Sequence, residues 1–296
     1  QARRPGTLRK RYGDMAKHRG ARGRTRRENT SKAAFGHRPE HEHDFHAYYT
    51  ELFGSERWQR LHEALADNPR YAELSEGLRR PYYLDEASAA IAKLVDVAGA
   101  RELLDMCAAP GGKSLVLAGA MEAEARLTAN ERSAARRAKL HRVLEEHLGE
   151  DRYERVRVTG HDATKWGLYE QDRYDAVLLD VPCSSERHLV QSPKHLKEWS
   201  PKRSERLAKQ AVGMLAAALA AVKPGGSVVY ATCALSPREN DGVVARILEK
   251  RGSWVSVAPF ELAFGEATAY GWQVLPDTAS GRGPAYCAKL VKAGGE

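Results

Sequence analysis

Leu103-Leu104-Asp105-Met106-Cys107-Ala108-Ala109-Pro110-Gly111-Gly112-Lys113-Ser114 begins as an apolar run, passes through a turn of small residues and leaves on a lysine and a serine. A short apolar run stopped by Pro and Gly reads as a buried strand, and the residues after it as the start of a helix. Two later stretches repeat the design: Leu178-Leu179-Asp180-Val181-Pro182-Cys183 and Val228-Val229-Tyr230-Ala231-Thr232-Cys233. Each run ends at a cysteine. In a parallel sheet such ends lie along one edge, and ligands bind outside that edge. The three turns are therefore expected to form one site.

The chain has 296 residues, room for one large α/β domain or two smaller ones. Charged residues make up 29% and hydrophobic ones 42%, a globular balance. No apolar run approaches the roughly 18 residues of a membrane span, so no membrane partner is expected. The longest stretch, Ala211 to Val222, is alanine-rich and reads as a packed helix. A net charge of +8 points to a polyanionic partner, with simple surface solvation as the plainer alternative. The four cysteines, Cys107, Cys183, Cys233 and Cys287, stand far apart, unlike a zinc site or a disulfide scaffold. No metal is expected, and a reducing compartment is. The first residue is Gln1 rather than Met, which is read as a processed or trimmed chain, compatible with a removed targeting peptide.

Residues 1–40 are dominated by Arg, Lys and Gly and show no apolar period. They are expected to form a basic RNA-binding arm, the alternative being a solvated tail. His41-Glu42-His43-Asp44-Phe45-His46 reads as a polar linker rather than a metal site, because no second ligand cluster accompanies it. Residues 41–80 then show helical spacing of large apolar groups around Tyr49, Phe53 and Trp58, and are expected to be a small helical subdomain with those aromatics in its core. From Pro81 to the end, residues 81–296, strands and helices alternate. Strands are expected at Arg101–Met106, Arg126–Asn130, Arg155–Thr159, Tyr174–Asp180, Ser227–Ala231, Val255–Phe260 and Ala285–Val291. Helices are expected at Glu86–Val95, Lys113–Ala120, Ser133–Leu148 and Lys202–Val222, the last stopped by Lys223-Pro224-Gly225-Gly226. A further helix is expected to start at Ser236-Pro237-Arg238-Glu239, with Glu239 as a capping-box residue. Alternation of this kind gives an α/β fold with a doubly wound, mainly parallel sheet.

The first turn is one residue away from a phosphate loop. That motif begins with glycine, and here Cys107 takes its place, which compromises the phosphate cradle. A dinucleotide fingerprint is also missing. What remains is a small-residue turn with acids at successive strand ends. Glu131 follows the Arg126–Asn130 strand and suits the two hydroxyls of a ribose. Asp162 follows the next strand and suits an adenine amine; Asp180 ends the one after. An acid-lined crevice of this kind fits a nucleoside that lacks phosphates and carries a positive sulfonium, such as S-adenosylmethionine. The plainer reading makes Glu131 and Asp162 surface acids or helix caps.

Two cysteines beside a methyl donor point to methylation at a carbon that is a poor nucleophile. Carbon 5 of a pyrimidine is such an atom. A thiolate that adds to carbon 6 makes carbon 5 nucleophilic, and later loss of the carbon 5 proton expels the thiolate. Asp180 is the candidate to bond N3 and the exocyclic amine. The plainer reading of both cysteines is a buried small apolar side chain.

These segments resemble the Sun-type RNA (cytosine-5) methyltransferases. The resemblance lies in Asp105-Met106-Cys107-Ala108-Ala109-Pro110-Gly111-Gly112-Lys113, in Asp180-Val181-Pro182-Cys183, and in Tyr230-Ala231-Thr232-Cys233-Ala234-Leu235 with Glu239-Asn240-Asp241. Ser185-Glu186-Arg187-His188, the Asp44 to Trp58 aromatics and Gly283-Pro284-Ala285-Tyr286 are similar to the mitochondrial ribosomal-RNA branch. The resemblance implies an about seven-stranded Rossmann-like sheet that binds S-adenosyl-L-methionine. It implies Cys233 as nucleophile and Cys183 in product release, with Asp180 the third catalytic residue. For the cofactor it implies Cys107, Gly111, Gly112, Lys113, Glu131, Arg136, Asp162, Ala163 and Asp180. It implies an RNA substrate, ribosomal or else transfer RNA, and a mitochondrial matrix address, with a bacterial cytoplasm as the alternative. Glu131 stands where many members have aspartate, and the loop after Cys183 lacks their glycine-rich run. With no room for a separate RNA-recognition domain, targeting is expected from the arm, from surface charge or from a partner protein. A ribosome-assembly scaffold without turnover is the alternative from a different class.

Overall fold

The computed structural model describes residues 40–294, so the basic arm expected over residues 1–40 lies almost wholly outside the described residues. Within them the apolar runs become the middle of a nine-stranded sheet. Strand β1 (Tyr71–Leu74) and β2 (Tyr82–Asp85) form a separate antiparallel ribbon. The main sheet contains β3 (Glu102–Asp105), β4 (Arg126–Asn130), β5 (Val156–Thr159), β6 (Tyr174–Asp180), β7 (Val222–Thr232), β8 (Val255–Ala258), β9 (Glu266–Ala267), β10 (Trp272–Val274) and β11 (Ala285–Lys292). Its order is β5-β4-β3-β6-β7-β11-β10-β9, with β8 paired to β11. The pairs from β5 through β7 are parallel; β11 then runs antiparallel to β7. The sheet is thus the expected doubly wound one, widened by an antiparallel edge.

Nearly every residue of β3 and β6 is buried, as strands covered by helices on both faces require. One layer of helices packs Leu103, Leu127, Leu178 and Val229 against Leu115, Leu117, Leu140 and Leu144. The other packs Leu104, Val177, Leu179 and Tyr230 against Trp166, Met214 and Leu215. The strand order switches between β3 and β6, and both chains leave the sheet there at the same edge. Since β3, β6 and β7 are consecutive, the turns after them are neighbours in space.

The described residues begin with a helical hairpin, α1 (Glu40–Phe53) and α2 (Ser55–Ala66). The stretch read as a polar linker before Phe45 is therefore helix. Phe45, Tyr49 and Trp58 are buried in one aromatic cluster, as expected. The cluster is completed by Leu189, Trp199, Leu235 and Leu275, residues of the larger fold. The helical stretch ends at Ala66, and the expected boundary at residue 80 falls inside the ribbon, whose register pairs Leu74 with Tyr82. The weak alternation of β1 carries no strong apolar signal, and its stability comes from pairing with β2 and packing on the helix that follows β2.

Two more differences have local causes. The helix over Pro201–Ala221 gives way directly to β7 at Val222, so Lys223-Pro224-Gly225-Gly226 lies in strand rather than in a loop. A register shift between Tyr174 and Ala176 of β6 accommodates it. The helix after β7 starts at Asp241, not at Pro237. Glu239 does not close a capping box; it is buried beneath the cysteine loops. Asp85, in contrast, caps the helix α3 (Glu86–Ala92) by accepting from the Ser88 backbone amide.

Candidate active site

The residues between β3 and the helix α4 (Gly112–Ala120) form the first wall. Gly111 has φ 125°, where a side chain is strained, and a Cβ there would lie 2.9 Å from Val143. A Cβ on Gly112 would lie 2.8 Å from Leu84 and 2.9 Å from Tyr82. Both glycines thus pack the turn closely against the ribbon and against α5 (Ala134–His147). Of this turn, Cys107, Ala109 and Lys113 line the opening.

Two cavities lie beside each other along this edge. One, of about 390 Å³, is lined by Met106, Cys107, Glu131, Arg136, Asp162 and Ala163 among others. Its floor acid, Glu131, is 6% exposed. Glu131 Oε1 accepts from the Ser133 amide at 2.7 Å, and Oε2 meets Arg136 Nη1 at 3.2 Å. Arg136 also donates to the Ala109 carbonyl at 2.7 Å, tying the first turn to the second. Asp162 caps the 3₁₀ turn Ala163–Leu168: Oδ1 accepts from the Thr164 amide and hydroxyl. The hydroxyl bond, first, and then the amide and the Arg132 charge hold its carboxyl below the ordinary range. Oδ2, 3.3 Å from Arg132, faces a further donor. Asp162 is thus a helix cap that also lines the cavity.

The second cavity, of about 410 Å³, is lined by Ser88, Cys107, Lys113, Asp180, Cys183 and Cys233. It shares Cys107, Arg136 and Pro182 with the first. All three strand-end cysteines thus meet at one opening, whereas Cys287 is buried in β11. Cys183 Sγ lies 2.8 Å from Cys233 Sγ and accepts from the Cys233 amide at 3.2 Å. Ser185 Oγ stands 3.1 Å from Cys233 Sγ. The Cys233 contact, burial and the Cys233 charge push the Cys183 thiol well above its ordinary range. Burial, and then the charges of Asp105 and Asp180, do the same to Cys107, which leaves it a poor nucleophile.

Lys113 Nζ donates to Asp180 Oδ2 at 2.8 Å and to Ser88 Oγ at 3.2 Å. Burial opposes its charge, but Asp180, with Cys233 and Asp105 beyond it, outweighs that and holds the ammonium above the usual lysine range. Replacing Lys113 by Met leaves Asp180 facing the neutral end of the cavity. The expected loss is about 2 kcal/mol, less than for a fully buried pair because Asp180 keeps some contact with water. Urea unfolding checks it: Lys113→Met with Asp180→Asn should recover most of the loss, and two additive losses would mean the pair is not coupled.

Reading the sequence missed three contributors. Ser88 reaches Lys113 from α3, and Glu186 and Glu239 lie buried under the cysteine loops. Both glutamates fall inside motifs quoted for the resemblance, but their burial has no signature in the sequence. Among the described residues no cluster of three or more metal-ligating side chains occurs, and no helix is long and apolar enough to cross a membrane.

Comparison with known proteins identifies the family. The family described as 16S rRNA methyltransferase RsmB/F matches residues 92–291, which include all three turns. The chain is 35% identical over 241 residues to the 5-cytosine rRNA methyltransferase NSUN4 of Xenopus tropicalis, covering 76% of this chain and 59% of that protein. It is 34% identical over 192 residues to the ribosomal RNA small subunit methyltransferase F of Shewanella amazonensis, covering 64% of this chain and 40% of that protein. It thus spans about three fifths or less of the length of these relatives. A methyltransferase homologue from Pyrococcus horikoshii superposes with a TM-score of 0.66 at 21% identity, over 84% of this chain and 94% of that one. NSun6 from the same organism, solved with SFG, gives 0.62 at 24% identity, over 77% and 57%. These structures share the fold. With the match extending from α3 to β11, the chain belongs to the RsmB/F family of 16S rRNA methyltransferases.

Proposed function

We propose that this chain is an S-adenosylmethionine-dependent RNA methyltransferase that forms 5-methylcytosine in ribosomal RNA. The observation that carries the reading is the pair of thiols at the ends of β6 and β7. They open into a cavity that shares a wall with the acid-edged one of about 390 Å³. That acid-edged cavity fits the cofactor. Its buried carboxylate at Glu131 suits a ribose diol, its apolar wall of Met106, Ala163, Pro182 and Met214 suits a purine face, and Asp180 next door suits a positive sulfonium. S-adenosylmethionine, when bound, supplies an electrophilic methyl group.

Cys233 is the nucleophile in this reading. Its Sγ–H gives up the proton to solvent in the open cavity, and the sulfur pair forms a bond to carbon 6 of cytosine. The C5=C6 electrons move to carbon 5, which becomes nucleophilic. Lys113 places a positive charge near the sulfur and holds Asp180 in line for N3 and the exocyclic amine. Once carbon 5 has taken the methyl group, removal of its proton restores the double bond as the C6–Sγ bond breaks. We assign that proton to Cys183: its thiolate, formed by loss of its own proton to solvent, takes the carbon 5 proton, and the surroundings that push its thiol up favour the protonated product. The 35% identity to the NSUN4 relative, over more of the chain than the bacterial relative covers, supports the branch expected from Ser185-Glu186-Arg187-His188.

The test uses the full chain, small-subunit ribosomal RNA and methyl-labelled cofactor, with nucleoside mass spectrometry. Label in 5-methylcytidine is expected. Glu131→Ala should weaken cofactor binding by calorimetry about 30-fold, some 2 kcal/mol for a lost charge-assisted bond pair. A wild-type chain that neither binds the cofactor nor labels RNA would leave the scaffold reading in its place.

A further inference from the structure

Beyond the last main-chain bond between β6 and β7, from Val181 N to Ala231 O, no ladder holds the two cysteine loops together. Two buried carboxylates take over. Glu186 follows Cys183, and its Oε2 accepts from the backbone amide of Leu235, in the other loop, at 3.0 Å. Glu239 follows Cys233, and its Oε2 accepts from the backbone amide of Ser184, back in the first loop, at 2.9 Å. Each loop thus lends a carboxylate to the backbone of its neighbour.

The remaining oxygens are also engaged. Glu186 Oε1 accepts from Tyr49 Oη at 2.6 Å and from the Ser184 hydroxyl. Glu239 Oε1 accepts from Ser204 Oγ at 2.6 Å. The two glutamates are 0% and 1% exposed, and among the described residues neither forms an ion pair. A buried carboxylate without a cation is costly, so its donors must be well placed. Tyr49 belongs to α1, so the aromatic hairpin reaches the loop of Cys183 through one hydroxyl.

We propose that Glu186 and Glu239 are positioning residues, a reciprocal clamp that sets the spacing of the Cys183 and Cys233 sulfurs, with Tyr49 bracing it from the helical hairpin. The clamp rests on the proposed thiol chemistry for its purpose, but its geometry is tested without it. Glutamine in place of either glutamate keeps the size and turns one acceptor oxygen into an NH₂ that faces another donor.

The direct readout is the rate at which the thiol oxidant diamide joins Cys183 to Cys233. In that reaction the two thiols are oxidised to one disulfide, and the N=N bond is reduced to a hydrazine that takes up both hydrogens. Wild-type protein should close the disulfide readily, as peptide mass mapping detects. Glu186→Gln and Glu239→Gln should each slow closure about tenfold, with kcat for methylation falling by a similar factor and KM for RNA within twofold. Calorimetric cofactor affinity should stay within twofold. If a glutamine variant fails to fold, Tyr49→Phe, which removes one donor only, should slow closure about threefold with an unchanged circular dichroism spectrum. Closure rates equal to wild type in folded variants would overturn the clamp. Lack of methylation by the wild type, with slowed closure in the variants, would overturn the proposed function and leave the clamp standing.

Discussion

A Cys183→Ala chain incubated with RNA and S-adenosylmethionine is expected to migrate with the RNA under denaturing conditions, as a covalent adduct. The logic follows from the two sulfurs 2.8 Å apart. Removing Cys183 leaves Cys233 able to add to carbon 6 but takes away the group assigned to release, so the bond that should be transient persists. Removing both should abolish the adduct. Cys233→Ala alone should lower methyl transfer by about 10⁴-fold or more, the scale on which loss of a covalent nucleophile is felt. The measurement is gel mobility with labelled RNA, followed by mass mapping of the crosslinked peptide. If the adduct survives in the double variant, or maps to Cys107, the assignment of Cys233 is wrong. Cys107 is the informative competitor: it lines both cavities, yet burial and two nearby carboxylates keep its thiol protonated.

The second large effect is a pH dependence at Asp105, the acid that ends β3. Its carboxyl is 1% exposed and is pushed up to about 7, first by burial and then by the charge of Asp180, against the pull of the Ser114 hydroxyl and Lys113. Oδ2 accepts from Ser114 Oγ at 2.7 Å, and Oδ1 has no partner. A folded-state pKa above the ordinary 3.8 means the native chain holds the proton more tightly than the unfolded one. Stability at this site is therefore greatest below about pH 4 and falls as pH rises toward 7, where the charge must be carried in the core. Asp105→Asn removes the charge at every pH. Its stability relative to wild type should rise between pH 4 and pH 7 by up to about 4 kcal/mol, at 1.36 kcal/mol per pKa unit. Urea unfolding of both chains at pH 4.5, 6 and 8 measures it. A difference that does not change with pH would show that Asp105 carries its charge without penalty in the folded state.

The site's architecture was legible because it is built on buried parallel strands. Arg126–Asn130 and Tyr174–Asp180 have the ends read from sequence, since an apolar run that must be covered on both faces admits few alternatives. The three cysteines meet because β3, β6 and β7 are neighbours, an arrangement that repetition of one motif at three strand ends implies. What resisted reading was the second use of residues with a familiar local role. Glu239 sits three positions after a serine, as a capping box demands, yet its carboxylate turns inward because two unpaired donors, Ser184 N and Ser204 Oγ, wait there. Gly111 and Gly112, expected on the cofactor from their motif, also lie hard against Val143, Tyr82 and Leu84. Neither outcome is encoded in neighbouring residues; each depends on an element far along the chain. The ribbon strand β1 was missed for the same reason, since only β2 makes it a strand.

The aromatic hairpin also says something about the order in which this molecule is finished. Phe45, Tyr49 and Trp58 close over Leu275, Arg57 reaches Asp277 at 3.3 Å, and the Arg70 amide bonds the Gly281 carbonyl at 3.4 Å. The helices that open the described fold are thus sealed by residues more than 200 positions further along the chain. At roughly 5–20 residues per second, the 220 positions between Arg57 and Asp277 take on the order of 10–40 seconds to synthesise. Through that interval Leu189, Trp199 and Leu235 cover the hairpin's apolar face only in part, so the hairpin is open to chaperones until Leu275 arrives, and a change around Leu275 to Gly281 would be felt at the hairpin.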